Sequence, residues 1–143
     1  MVTLLLDSNV LSELRRGERC DPRVRRWALS IAESELHTSV IVLGELKRGV
    51  ERVRPKDPRF AAELERWLSR LVARMGDRIL PVNQAVALTW GRIAAPRVGP
   101  PIDGLLAATA LVYGFTLVTR DVKDIADLGV SYLNPFEPTH RGL

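Results

Sequence analysis

Four acidic residues stand where carboxylates could do chemistry together: Asp7, Glu45, Asp103 and Asp121. Asp7 closes the apolar run Val2 to Leu6, the pattern of a parallel strand buried on both faces. Asp121 follows the short β-prone run Phe115 to Val118, with Thr119 and Arg120 between. Asp103 precedes Leu105 to Val112, which is apolar on nearly every face and so reads as a buried helix. Glu45 lies between Leu43 and Leu46; taken alone it reads as a border residue reaching water, because a buried, unpaired glutamate is costly. Open α/β sheets bind ligands outside the carboxyl ends of their strands, the position of Asp7 and Asp121. Gathered at one edge, the four carboxylates would limit what fills the space between them. Two like charges about 4 Å apart repel by ~4 kcal/mol at an effective dielectric of 20, so such a group takes up protons or cations. Oxygen ligands with no His or Cys among them suit Mg²⁺ or Mn²⁺, not zinc. Lys47, Arg48, Arg120 and Lys123 are the basic side chains near them in sequence.

The elements that must carry these acids alternate between strand and helix. After Asp7, Ser8 can cap a helix over Val10 to Arg16 that Gly17 stops. Asp21-Pro22 opens a helix through Glu33, Glu35 to Thr38 is a weak strand, and Ser39 caps a helix through Val53 that carries Glu45. Arg54 to Pro58 connects to an amphipathic helix over Arg59 to Met75, with Phe60, Leu64, Trp67, Leu68 and Leu71 on one stripe. Ile79 to Val82 is a short strand, and Asn83 caps a helix through Ala94. The loop Ala95 to Pro101 leads into the buried helix begun by Asp103 and stopped by Gly114. Val122 to Leu128 is a brief helical turn, Val130 to Leu133 an edge strand, and Asn134 to Leu143 a tail. Trp67 and Trp90 are core or subunit-interface residues. The alternation implies an α/β fold with a parallel sheet covered on both sides. We find no repeat and no second domain.

Composition bounds the function. The 143 residues suit one domain, and 46% apolar with 27% charged residues is ordinary for a globular protein. The net charge of +4 hides a skew, since eighteen of the twenty-one basic residues are arginines. Arginine forks match phosphate oxygens, which makes a phosphodiester the natural substrate for a hard-metal site here. Codon bias or solvated helix faces would give the same skew, and Arg23, Arg25 and Arg26 read first as a solvated face. The single cysteine, Cys20, forms no internal disulfide and suits a reducing compartment. Neither the N-terminal run nor Leu105 to Val118 is long enough to span a membrane, so the expectation is a soluble cytoplasmic protein. A glycine-rich phosphate loop and a G-x-S-x-G elbow are absent, and neither His37 nor His140 has a partner at zinc-ligand spacing.

Four blocks carry a family resemblance. They are Leu-Leu-Asp-Ser-Asn-Val-Leu-Ser-Glu-Leu at the N-terminus, Ser39 to Gly49, Ile102 to Ala110, and Leu117 to Asp124 followed by Leu133-Asn134-Pro135-Phe136. In this order over the whole chain they resemble PIN-domain proteins, most closely the VapC and FitB toxins of bacterial toxin–antitoxin pairs. The resemblance implies a three-layer α/β/α fold around a parallel sheet of four to five strands. It also implies a Mg²⁺- or Mn²⁺-dependent endoribonuclease. Asp7 and Asp103 would be the principal metal ligands, with Glu45 and Asp121 binding directly or through water. Ser8 and Thr119 match the polar neighbours that hold ligands in place. Asp124 matches a frequent family acid, but braces a turn more naturally. Pro100-Pro101-Ile102 departs from the family's residues there, leaving the acid intact and altering only the loop. The implied partners are RNA, a cognate antitoxin that blocks the acidic site, and a second copy of the chain.

Two other readings compete. A haloacid-dehalogenase-like phosphatase needs a second Asp two residues after Asp7, where this chain has Asn9. A PIN-like module that binds partners without metal or nuclease activity would not need all four acids.

Overall fold

The computed structural model describes residues 2–98 and 100–138; Met1, Gly99 and the end of the tail from Thr139, including His140, lie outside the described residues. Five short strands form one sheet: β1 Leu4–Leu6, β2 Leu36–Ser39, β3 Ile79–Leu80, β4 Thr116–Val118 and β5 Tyr132–Leu133. Six helices connect them: α1 Ser8–Arg15, α2 Pro22–Leu29, α3 Val40–Val53, α4 Pro58–Met75, α5 Gln84–Ala94 and α6 Pro101–Tyr113. All neighbouring strands run parallel, in the order β3-β2-β1-β4-β5. This is the three-layer α/β/α architecture expected from the alternation.

The central strand is β1, and its three leucines are buried. The chain leaves it to build β2 and β3 on one side, then crosses back to place β4 and β5 on the other. The order therefore reverses between β1 and β4, and such reversals open a crevice at the strands' carboxyl ends. Leu6 pairs with Val118, and the Asp7 amide donates to the Val118 carbonyl at 3.0 Å. Asp7 and Thr119 consequently leave the sheet side by side.

Sequence determines where the helices begin. Ser39 Oγ accepts from the Ile41 amide at 3.0 Å and Asn83 Oδ1 from the Val86 amide at 2.9 Å, capping α3 and α5 as expected. Asp7, not Ser8, caps α1: its Oδ1 accepts from the Ser8 amide at 2.7 Å, because the helix starts directly after the strand. Helix α6 begins at Pro101, which puts Asp103 within its first turn instead of at its cap. At its other end Gly114 takes the left-handed conformation, φ 72°. Helix α2 stops at Leu29, short of the expected Glu33, since Ser30 Oγ turns back onto the Trp27 carbonyl at 2.6 Å. The last strand is shorter than Val130 to Leu133, because Val130 is buried as loop against the core.

Helix α6 holds the acid near its start by close packing on α5. Leu106, Ala107, Ala108, Thr109 and Ala110 are all buried, so the helix has almost no free face. Gly104 lies against the Trp90 indole; a Cβ there would meet Cδ1 at 3.1 Å and Nε1 at 3.2 Å. Gly104→Ala is therefore expected to destabilise the protein by about 1–3 kcal/mol, read as a lower urea midpoint at unchanged slope.

Candidate metal centre

Asp7 is 5% exposed at the end of β1. Besides the Ser8 amide, it receives the Thr119 hydroxyl on Oδ2 at 2.8 Å, and the Ser8 hydroxyl lies 3.5 Å from Oδ1. Burial still pushes its carboxyl above the usual range, against these hydrogen bonds and with help from the charge of Asp121. Thr119, itself buried, also accepts from the Asp121 amide at 3.0 Å. One hydroxyl thus ties together the two acids contributed by neighbouring strands.

Asp103 reaches the same crevice from α6. One carboxylate oxygen from each of Asp7, Asp103 and Asp121 lies within 4.8 Å of the others. Burial raises the Asp103 carboxyl to about 6, and the charges of Asp7, Asp124 and Asp121 add to the rise. Arg97 works against them. Glu45, on α3, stays outside this group of three, yet it senses it. Its carboxyl is raised by burial and then by Asp7, with Asp103 and Asp121 contributing further; the Ser8 hydroxyl lowers it. Among the described residues, its buried Oε1 has no hydrogen-bond partner. The sequence therefore pointed to four acids that the fold brings to one crevice, three in mutual contact range and one beside them. Asp124 is exposed in the turn Val122–Asp124, and its carbonyl accepts from Arg97 Nη2.

Two neighbours were not anticipated. Asn9 Nδ2 lies 3.2 Å from Asp121 Oδ2, 3.4 Å from Thr119 Oγ1 and 3.5 Å from Asp7 Oδ2. Its Oδ1 accepts from the Arg120 amide at 3.2 Å. Its place two residues after Asp7, in the first turn of α1, was the available signal. Arg97 was the other. Of the basic residues expected near the acids, Lys47 is engaged with Glu51 and Glu65, both at 2.9 Å, and Arg120 lies over the Phe136 ring at 5.0 Å.

Three hard oxygen donors in reach of one another, all from carboxylates, match what a small divalent cation requires. The sulfur and imidazole donors of a zinc site play no part in this group.

The chain is similar to known proteins in both sequence and fold. A family model described as PIN domain matches residues 4–129. Toxin FitB of Neisseria gonorrhoeae is 31% identical over 138 residues, covering 93% of this chain and 98% of that protein. VapC ribonuclease Y4jK of Sinorhizobium fredii is 29% identical over 140 residues, covering 94% and 99%. A chain in the crystal structure of FitAcB from Neisseria gonorrhoeae superposes with a TM-score of 0.78 at 30% identity, covering 95% of this chain and all of that one.

Proposed function

The chain belongs to the PIN-domain family, and from that premise we propose that it is the toxin of a toxin–antitoxin pair, an endoribonuclease that hydrolyses RNA phosphodiester bonds with Mg²⁺ or Mn²⁺. The observation that carries this reading is the convergence of Asp7, Asp103 and Asp121 at the strand-order reversal. The similarity to a toxin and to a ribonuclease supports it further.

In this reading Asp7, Asp103 and Asp121 hold the cation, and Glu45 completes the catalytic set. Bound there, Mg²⁺ or Mn²⁺ supplies Lewis acidity for the scissile phosphoryl group and the attacking water. The protein's own groups do the rest. Thr119 and the Ser8 amide fix the Asp7 oxygens, and Asn9 steadies Asp121. Glu45 Oε1, without a hydrogen-bond partner among the described residues, is the acceptor that would orient the attacking water and take its proton. Helix α6, buried from Leu106 to Ala110, keeps Asp103 from swinging away.

The same reading gives the chain a cognate antitoxin, a second copy of itself as partner, and a cytoplasmic location. These rest on the resemblance to VapC and FitB; among the described residues, no helix is long and apolar enough to cross a membrane. Residues 1–143 form one domain in this reading, supported by the one sheet and one main core among the described residues.

Purified protein incubated with structured RNAs tests the reading. Cleavage is expected with Mg²⁺ or Mn²⁺ and should stop on adding chelator; cleavage that survives the chelator would overturn the metal mechanism. Thr119→Val, which removes the hydroxyl between Asp7 and Asp121 at nearly constant shape, is expected to weaken Mn²⁺ binding about 10- to 100-fold by calorimetric titration.

A further inference from the structure

Beside the acids lies a second feature that metal binding leaves unused. A cavity of about 370 Å³ runs between the end of α5, the loop that follows it, the start of α6 and the turn Val122–Asp124. Trp90, Ala94, Arg97, Pro100, Asp103 and Asp124 are among its walls. Asp103 therefore belongs to two surfaces, the three-acid cluster on one side and this cavity on the other. The volume falls within the usual range for small-ligand sites.

Two donors in its walls lack a full set of acceptors. The Trp90 indole N–H is buried and, among the described residues, has no hydrogen-bond partner. Arg97 gives Nη2 to the Asp124 carbonyl, and among the described residues it forms no ion pair with a carboxylate. A planar guanidinium held by one backbone oxygen keeps further N–H groups for an anion. A wall of this kind, one arginine and one indole donor adjoining a carboxylate cluster, suits a phosphate with its attached nucleoside.

We propose that this cavity is the subsite for the nucleotide next to the scissile phosphate, with Arg97 binding that nucleotide's phosphate and the Trp90 N–H meeting an acceptor on it. The inference rests on the ribonuclease reading. It assigns to Arg97, in the loop after α5, a direct part in holding substrate. Arg97 sits outside every block that carries the family resemblance.

A structural brace and a phosphate ligand respond differently to salt. Anisotropy of a short fluorescein-labelled single-stranded RNA, in chelator to prevent cleavage, gives the binding constant from about 50 to 200 mM KCl. Arg97→Gln keeps an amide donor for the Asp124 carbonyl but loses the charge; Arg97→Lys keeps the charge. Arg97→Gln is expected to bind on the order of tenfold more weakly at the low-salt end, with the log–log salt slope shallower by about 0.7. Arg97→Lys should retain the wild-type slope. Equal slopes in wild type and Arg97→Gln, with wild type cleaving RNA normally, would overturn the subsite alone. A wild-type protein that neither binds nor cleaves RNA with Mg²⁺ or Mn²⁺ would sink the ribonuclease reading, and the subsite with it.

Discussion

Asp103→Asn is expected to lower RNA cleavage by at least about a thousandfold while making the metal-free protein more stable. The loss follows from removing one of three charged ligands: several kcal/mol of transition-state stabilisation is at stake, and each 1.4 kcal/mol is roughly tenfold in rate. The gain has a separate origin. With its carboxyl raised to about 6 from an ordinary 3.8, Asp103 is ionised at neutral pH only against burial and the charges of Asp7, Asp124 and Asp121. An amide of the same shape carries none of that strain. After allowance for solvent screening of a partly exposed group, the gain is about 1–2 kcal/mol. Single-turnover cleavage and thermal unfolding of the same two preparations check both halves. A variant that loses activity and stability together would point to simple misfolding.

Saturating Mn²⁺ is expected to reverse that order of stability. An ion that binds only the folded state adds about 2.7 kcal/mol at a hundredfold excess over its dissociation constant, worth roughly 5–10 °C for a chain of this size. Wild type should gain this and Asp103→Asn little of it. The apo proteins also separate with pH, and the sign is fixed by the raised carboxyl. Because the folded state holds the Asp103 proton more tightly than the unfolded chain, that proton's contribution is complete below about 4 and lost as pH climbs through about 6. The stability difference between Asp103→Asn and wild type should therefore widen from pH 4 to 6 and then level off. Scanning calorimetry across that window, with chelator and with Mn²⁺, reads both effects. A difference that narrows with pH would contradict the repulsion at the site.

How much of this was legible beforehand differs residue by residue. Asp7 and Asp121 could be placed because each follows an apolar run, and a parallel sheet sends the residue after such a run to its carboxyl edge. Asp103 was visible as the start of a helix too apolar to lie on a surface. That β4 lies beside β1, and so brings Thr119 against Asp7, is a matter of strand order, which no local pattern encodes. Asn9 illustrates the limit: its nearness to Asp7 was visible, but its contact with Asp121 spans 112 positions and depends on strand order. Arg97 was passed over because proline-rich loops offer no periodicity from which to read a side chain's direction. Lys47 was weighed as a counter-charge to the acids, but Glu51 one turn on and Glu65 on α4 claim it first. Glu45 was legible only in part. Its setting between Leu43 and Leu46 fitted either a border residue or a site acid, and its unpaired Oε1 in the crevice is a tertiary fact.

Asp7, Asp103 and Asp121 together should bind a divalent cation, which titration of Mn²⁺ into the metal-free protein measures. By calorimetry or by the loss of the free-ion paramagnetic signal, wild type should bind Mn²⁺ saturably, with Asp103→Asn binding at least tenfold more weakly. Equal binding by the two proteins, or none by wild type, would contradict the account.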